Sequence, residues 1–239
     1  MALVPSPPLL VPELTGNSPS EASIVRDAAL RASRHIADVA DRWLVVGTGD
    51  RGRRIGPRSS GTFAGYGVDV PVTLSADVDG ESANEADTQL PLPALIAGWL
   101  RGEAAPSVEA EILIVGRDDT RAECTRIGRD LRAEMDADQG SVGLLVVGDG
   151  ATTLTAKAPG SFDERAEALQ TTIDDALATA DLTVLSGLDR RLCREVGVDG
   201  VAAWQVLASV VADDRLDAHA LYRGSPFGVG YFVGTWDVV

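Results

Sequence analysis

Three short apolar runs constrain the fold of this chain more than any other feature. They occupy residues 43–50 (WLVVGTGD), 112–119 (ILIVGRDD) and 144–150 (LLVVGDG), and each passes from bulky apolar residues into glycine and aspartate. Such runs are typical of strands that are buried on both faces and end abruptly. Because helical patterns alternate with them, the sequence predicts an α/β fold with a largely parallel or mixed central sheet and right-handed crossovers.

The rest of the chain predicts the elements around this sheet. Pro5, Pro7 and Pro8 interrupt a first strand at residues 3–11, and proline cannot donate to a ladder, so this strand is expected at an edge. The other elements are predicted as a helix at 21–40 capped from Ser18, Pro19 and Ser20, a long loop at 47–66, an edge strand at 68–74, a surface excursion at 75–89, helices at 92–100, 119–137 (capped by Asp118 or Asp119) and 162–179, two helices within 181–211, and a hairpin of 218–222 and 228–236.

Length and composition indicate one three-layer domain spanning residues 1–239. A hydrophobic content of 45% suits a globular core, and no linker divides the chain. The formal charge of -15 disfavours a nucleic-acid or membrane-surface partner, because both surfaces are anionic. Cys124 and Cys193 lack the spacing of a metal knuckle or redox pair, and no apolar run reaches membrane length, so a cytoplasmic protein is expected.

Aspartates at the strand ends are the first candidate functional residues. In a parallel sheet Asp50, Asp118 and Asp149 would lie at one edge, where open α/β sheets bind ligands. A shared carboxylate site is one interpretation. The other, which is favoured, is that glycine and aspartate end strands and cap helices without any further role.

The segment after the second strand carries two weaker signals. Gly47, Gly49 and Gly52 form a G-x-G-x-x-G pattern, but the residues up to Pro57 cannot easily continue as the helix that dinucleotide binding needs. Four arginines follow within eight residues and suit a carboxylate or phosphate ligand: Arg51, Arg53, Arg54 and Arg58. A solvated loop that balances local acidic charge is slightly favoured over this anion site.

Three motifs resemble the class III extradiol ring-cleavage dioxygenase B-subunit superfamily, including its Memo-like branch. They are PSPPLLVPEL at residues 5–14, GDGATTLTAKAPGSFDERA at 148–166 and SPFGVGYFVGTW at 225–236. The resemblance implies an α/β domain in which two histidines and a glutamate bind ferrous iron and a further histidine acts as acid/base.

The residues at the matching positions differ from those of the family. Ser6 replaces the first metal histidine, Gly49 or Asp50 the second, and Thr152 the acid/base histidine, while Val198, with Asp199 beside it, replaces the glutamate. Ferrous sites of this kind need imidazole nitrogens, so Fe(II) is not expected. His35 and His219 fall in no matching motif, and no G-x-S-x-G elbow indicates a serine hydrolase.

Two functional hypotheses follow from this resemblance. The first is a pseudoenzyme, a non-catalytic binding or interaction protein without a cofactor, whose cleft is lined by Ser6, Asp50, Arg51, Asp149, Thr152 and Asp199. Its partner would be an unknown small molecule or a protein, the latter by analogy with Memo-like relatives, and a homo-oligomer is compatible with the sequence. The second is an enzyme with a substituted site, either a carboxylate site for Mg or Mn built from Asp50, Asp149 and Asp199 or a metal-free hydrolase-like site.

Overall fold

A computed structural model describes residues 1–15, 20–77 and 86–239 of the chain. Within them, a mixed seven-stranded sheet has the order β3-β6-β2-β7-β1-β9-β8, and β4 and β5 form a separate two-stranded sheet. The strands are β1 (Ala2–Val4), β2 (Arg42–Gly49), β3 (Arg53–Ile55), β4 (Ser60–Thr62), β5 (Pro71–Thr73), β6 (Glu109–Gly116), β7 (Val142–Val147), β8 (Leu216–Gly224) and β9 (Tyr231–Val238). The predicted α/β class and helix-flanked sheet are confirmed.

Helices cover both faces of the sheet. They are α1 (Pro12–Thr15), α2 (Ser20–Ala37), α3 (Leu92–Ala104), α4 (Arg121–Ala137), α5 (Ala166–Thr179), α6 (Leu182–Gly187), α7 (Arg190–Glu195) and α8 (Val201–Val210). Alternate residues of β2 face opposite layers: Val45 packs with α2 and α3, whereas Leu44 and Val46 pack with α4, α5 and α8. This two-sided burial explains the continuous apolar runs of the sequence.

The four central strands, β6, β2, β7 and β1, run parallel and share one carboxyl edge. Val45 pairs with Ile112 on one side and with Leu145 on the other. Strands β3, β9 and β8 join antiparallel. The carboxyl edge of the parallel strands is therefore the place where the three strand-ending aspartates emerge.

The predicted edge position of the first strand is wrong. Strand β1 lies between β7 and β9, with Ala2 paired to Leu145 and Leu3 to Gly234. The strand ends at Val4, so Pro5 and the later prolines follow the ladder and remove none of its donors.

Several local predictions also need correction. The cap of α4 is Thr120, which forms a capping box with Glu123, rather than Asp118 or Asp119. The predicted loop at 47–66 contains β3 and β4, helix α5 begins at Ala166 rather than at residue 162, and three helices replace the two expected within 181–211. The edge strand predicted at 68–74 is β5, paired with β4.

Some predictions fall on parts of the chain that are not described. The caps at Ser18 and Pro19, the side chain of Ser20, and residues 78–85 of the predicted surface excursion lie outside the described residues. In the described part, no helix is long and apolar enough to cross a membrane. Both cysteines are buried and free.

Candidate functional site

A cavity of about 730 Å³ opens at the carboxyl edge of the parallel strands, and we call it the main cleft. The residues predicted for a cleft all line it: Ser6, Asp50, Arg51, Asp149, Thr152 and Asp199. Further polar groups come from Thr48, Arg53 and Arg117, and the apolar wall comes from Tyr66, Pro91, Leu92, Pro93 and Ile114. Chain segments that are far apart in sequence thus meet at one cavity.

Asp149 is held at this cavity by Ser6. The Ser6 backbone N–H donates to Oδ1 of Asp149 at 2.9 Å, and the Ser6 hydroxyl donates to Oδ2 at 2.6 Å. The pairing follows from the sheet, because Val4 lies opposite Val147 and the Gly148 N–H donates to the Val4 carbonyl. The segments that leave β1 and β7 therefore run side by side.

The carboxyl of Asp149 titrates near neutral pH. Burial raises its pKa to about 6, the two hydrogen bonds from Ser6 oppose that rise, and the negative charge of Asp199 adds to it. Both Ser6 donors are neutral, so they offset less of the cost of burying the carboxylate anion than a guanidinium cation would. Asp149 is therefore a cleft carboxyl whose pKa lies well above that of an ordinary aspartate.

The loop after β7 is fastened to the segment before α8. The Asp149 carbonyl accepts from the backbone N–H groups of Asp199 and Gly200, and the Val196 carbonyl accepts from the Thr152 N–H and the Thr153 hydroxyl. On the other side the Ala151 N–H donates to Oε1 of the buried Gln170 at 2.8 Å. Thr152 therefore faces the cleft on a loop whose backbone is fixed from both sides.

An ion pair between Arg117 and Asp199 also lines the main cleft. Arg117 donates to Asp199 at 2.5 Å and lies 3.6 Å from Asp50. Burial raises the pKa of Asp199, Arg117 opposes this, and the charge of Asp50 adds to it. Arg117 was not predicted, although it follows Gly116 at the end of the second apolar run, the position that Asp50 and Asp149 occupy in the other two runs.

Of the three strand-ending aspartates, Asp50 and Asp149 line the main cleft and Asp118 does not. Asp118 is exposed and pairs with Arg194 at 3.0 Å, and its neighbour Asp119 accepts from the Gly116 N–H. Across the described residues, no three His, Cys, Asp or Glu side chains come together in a group that could hold a metal ion.

The four arginines after β2 do not form one site. Arg51 and Arg53 line the main cleft, and Arg53 also donates to the Gln89 carbonyl. Arg54 instead bonds Glu111 at 2.8 Å and Glu134 at 2.5 Å, and these bonds raise its pKa. Arg58 lines a second surface groove together with Arg53 and Arg54, and Arg51 does not line it. The segment after Gly52 forms β3 rather than a helix, as expected for a pattern that does not bind dinucleotides.

Neither histidine lines the main cleft. His35 on α2 lies 2.8 Å from Asp237, and His219 on β8 lies 3.4 Å from Asp217. Both side chains are exposed. The ferrous site implied by the resemblance therefore has no imidazole among the groups that line this cavity in the described chain.

No protein-family model matches the sequence, and no curated protein matches it. Among solved structures, this chain is similar to an uncharacterized protein, JW3007, from Escherichia coli K12. The two chains are 13% identical, the match covers 87% of this chain and 91% of the other, and the TM-score is 0.47.

Proposed function

We propose that this chain is a relative of the extradiol dioxygenase B-subunit superfamily that has lost the iron site and binds a small organic molecule in the main cleft without catalysis. One observation carries the proposal. Of the positions that the resemblance matches to the iron and acid/base residues, Ser6, Asp50 and Thr152 are distant in sequence yet line the same cavity. Asp199, the residue beside the matched Val198, lines it as well. Two free cysteines suit a reducing cytoplasm.

The side chains at these positions do not fit ferrous iron. Non-haem Fe(II) sites use two imidazoles and a carboxylate on one face of the metal. Here the Ser6 hydroxyl is a donor to Asp149, Thr152 offers only a hydroxyl, and Val198 offers no ligand atom. No step through iron follows from these residues.

The cleft has the size and lining of a small-molecule site. Its volume of about 730 Å³ lies within the range of ligand pockets, which are mostly apolar with a few fixed polar groups. Leu92 and Ile114 belong to the apolar wall, and Asp149 and Arg117 stand on the polar side. A matching ligand has an apolar body for this wall, a hydrogen-bond donor for the Asp149 carboxylate and an anionic group for the Arg117 guanidinium.

The second candidate is an enzyme with a substituted active site, and Asp149 favours it. A carboxyl group with a pKa of about 6 can accept or donate a proton at neutral pH, and the Ser6 hydroxyl lies 2.6 Å away. In this alternative Asp149 acts as general acid or base on a ligand bound beside Thr152. The carboxylate site for Mg or Mn is the metal-dependent version of the same alternative.

Metal analysis distinguishes the metal-dependent enzyme from the binding protein and from the metal-free enzyme. Protein purified without chelator is analysed for Fe, Mn and Mg, directly and after soaking with each ion followed by gel filtration. We expect less than one ion per chain in every case. One tightly held ion per chain would contradict the binding-protein proposal.

Ligand screening tests the cleft itself. A library of small organic acids, alcohols and amines is screened by thermal shift, and each hit is titrated against Asp149→Asn and against Asp130→Asn, a matched change on the exposed face of α4 outside both cavities. We expect Asp149→Asn to weaken hits about tenfold and Asp130→Asn to leave them unchanged. Equal binding by both variants would remove the main cleft as the site, and conversion of a hit that stops in Asp149→Asn would establish the enzyme instead.

A further inference from the structure

A small cavity of about 80 Å³ opens beside the main cleft, and we call it the side chamber. Its lining consists of Thr48, Arg117, Arg190, Arg194, Gly197, Val198, Asp199 and Val201. Three of these residues, Thr48, Arg117 and Asp199, also line the main cleft, so the two cavities adjoin. A single buried water needs roughly 10–15 Å³, so the chamber admits a small functional group and excludes a whole metabolite.

Three guanidinium groups and one carboxylate, that of Asp199, line the side chamber in a chain that is otherwise strongly acidic. Arg190 donates to Oε1 of Gln205 at 2.6 Å and to the Arg117 carbonyl at 2.8 Å, and both acceptors are neutral. Arg194 has one carboxylate partner, Asp118, and both of their side chains are exposed. Of the three guanidinium groups, therefore, the one of Arg190 has no carboxylate among its hydrogen-bond partners in the described chain.

An unsatisfied hydroxyl stands at the same place. Thr48 is 3% exposed and its Oγ1 makes no hydrogen bond to the described residues. Leu44 and Val46 pack against the α8 layer, and alternation along β2 places Thr48 on that same face. Val201, the first residue of the ten-residue helix α8, also lines the chamber, and a helix N-terminus favours negative charge.

We propose that the side chamber binds the oxyanion, a carboxylate or a phosphate, of the ligand whose body lies in the main cleft. The inference rests on the proposed function and names the ligand class as a small organic anion. Arg190 and Arg194 would hold the oxygens from α7, and Arg117 from the end of β6, since the planar guanidinium donates to two oxygens at once. The Thr48 hydroxyl would supply one further donor.

Helix α7 offers a matched control for this proposal. Arg191 lies on the same helix as Arg190 and Arg194, but it is largely exposed, pairs with Glu195 and does not line the chamber. Inorganic phosphate, sulfate and acetate are each titrated by calorimetry into the full chain and into Arg190→Gln, Arg194→Gln and Arg191→Gln. Ionic strength is kept constant with sodium chloride, because screening alone changes weak anion binding.

We expect one phosphate or acetate site per chain in the unchanged protein. Arg190→Gln and Arg194→Gln should each weaken it by about tenfold or more, and Arg191→Gln should leave it unchanged. Arg190→Gln also loses contacts to Gln205, so its fold is checked by circular dichroism. Arg194 is exposed, so Arg194→Gln is expected to fold and provides the test if Arg190→Gln does not fold.

Two results would overturn the proposal. One is the absence of binding by any of the three anions. The other is equal weakening by Arg191→Gln, which would indicate a general effect of charge on the surface. Preference for phosphate over acetate, or the reverse, identifies the head group. These probes report on the side chamber alone. If no anion binds but the ligand screen yields hits in the main cleft, the side-chamber proposal is wrong and the proposed function stands. If an anion binds but the screen yields no hits in the main cleft, the proposed function is wrong and the anion site in the side chamber stands.

Discussion

The ends of β2 and β7 begin from the same sequence plan and reach different structures. Each strand passes into glycine and then aspartate, at Gly49 and Asp50 after β2 and at Gly148 and Asp149 after β7. The Asp50 side chain is 94% exposed, and Arg117 lies 3.6 Å from it. Asp149 is partly buried, accepts two hydrogen bonds from Ser6 and has a pKa raised to about 6.

What lies beside each strand end explains the difference. Strand β7 has β1 as its neighbour, and the chain leaving β1 carries Ser6 over Asp149. The chain leaving β2 turns back instead and forms β3 on the far side of β6, so nothing covers Asp50 in the described structure. The raised pKa of a strand-ending aspartate therefore depends on which strand lies beside it, and the local sequence motif does not determine it.

The largest expected effect comes from adding one carbon at Gly148, directly after β7, compared with the same change at Gly52, between β2 and β3. A Cβ at Gly148 would lie 2.6 Å from the Gly200 Cα, a backbone atom at the start of α8, whereas a Cβ at Gly52 would come no closer than 3.5 Å to its nearest neighbour, the Ile114 carbonyl. We expect Gly148→Ala to lower the free energy of unfolding by about 3 kcal/mol because the two backbones must separate. Gly52→Ala should change it by less than about 0.5 kcal/mol.

Urea unfolding followed by tryptophan fluorescence measures this difference. The new Cβ in Gly148→Ala would also stand 3.4 Å from Nε1 of Trp204, so the near-ultraviolet circular dichroism of this variant should change as well. A loss below about 1 kcal/mol in Gly148→Ala would mean that the β7 end and the α8 start do not meet as closely as described.

The next effect compares the two aspartates by pH. Because the pKa of Asp149 is raised in the folded state from 3.8 to about 6, its contribution to stability is complete below about pH 4 and is lost as the pH rises through about 6. Asp149→Asn removes this loss, so the variant should be more stable than the unchanged protein by about 3 kcal/mol at pH 8 and nearly equal to it at pH 4.

Asp50→Asn is the control for this comparison. Its side chain is exposed, so we expect a change of less than about 0.5 kcal/mol at either pH. Asp174 also has a pKa raised to about 6 by burial, but it is present in both proteins and cancels in the difference. If Asp149→Asn proves less stable than the unchanged protein at pH 8, the carboxylate of Asp149 is stabilised by a group other than Ser6.

The fold can be predicted where local pattern decides it. The runs that form β2, β6 and β7 are recognisable because strands buried on both faces leave continuous apolar residues. The closing hairpin is recognisable because two strand-like runs are joined through the turn sequence GSPFG. The order of strands is a long-range property, and it places β1 inside the sheet although Pro5 and its neighbours suggest an edge. Proline excludes only the residue it occupies, and the ladder ends at Val4.

The candidate site can be predicted only in part, for the same reason. That Asp50 and Asp149 lie at one edge follows from parallel strands, but the bond between Ser6 and Asp149 depends on which strand neighbours β7. The side chamber leaves no signal in the sequence. Arg190, Arg191 and Arg194 resemble any solvated helix face, and only packing decides which of them faces a cavity.

The smallest effect concerns the bond that distinguishes the two strand ends. In Ser6→Ala the hydroxyl donor to Asp149 is lost while the backbone N–H of residue 6 remains, so we expect the pKa of Asp149 to rise further above its present value. The loss should cost about 1 kcal/mol at pH 8, where Asp149 is charged, and less near pH 5. Carboxyl carbon chemical shifts followed by NMR during a pH titration measure the pKa, and urea unfolding measures the stability.

A double-mutant cycle shows whether this cost belongs to the pair. Ser6→Ala in an Asp149→Asn background removes a hydroxyl that no longer faces a carboxylate, so its cost should fall to less than half of that in the unchanged protein at pH 8. The same Ser6→Ala change combined with Asp50→Asn should be additive, because Asp50 makes no bond to Ser6. Equal costs in both backgrounds would mean that Ser6 stabilises the turn after β1 by itself, and the difference between the two strand ends would then rest on burial alone.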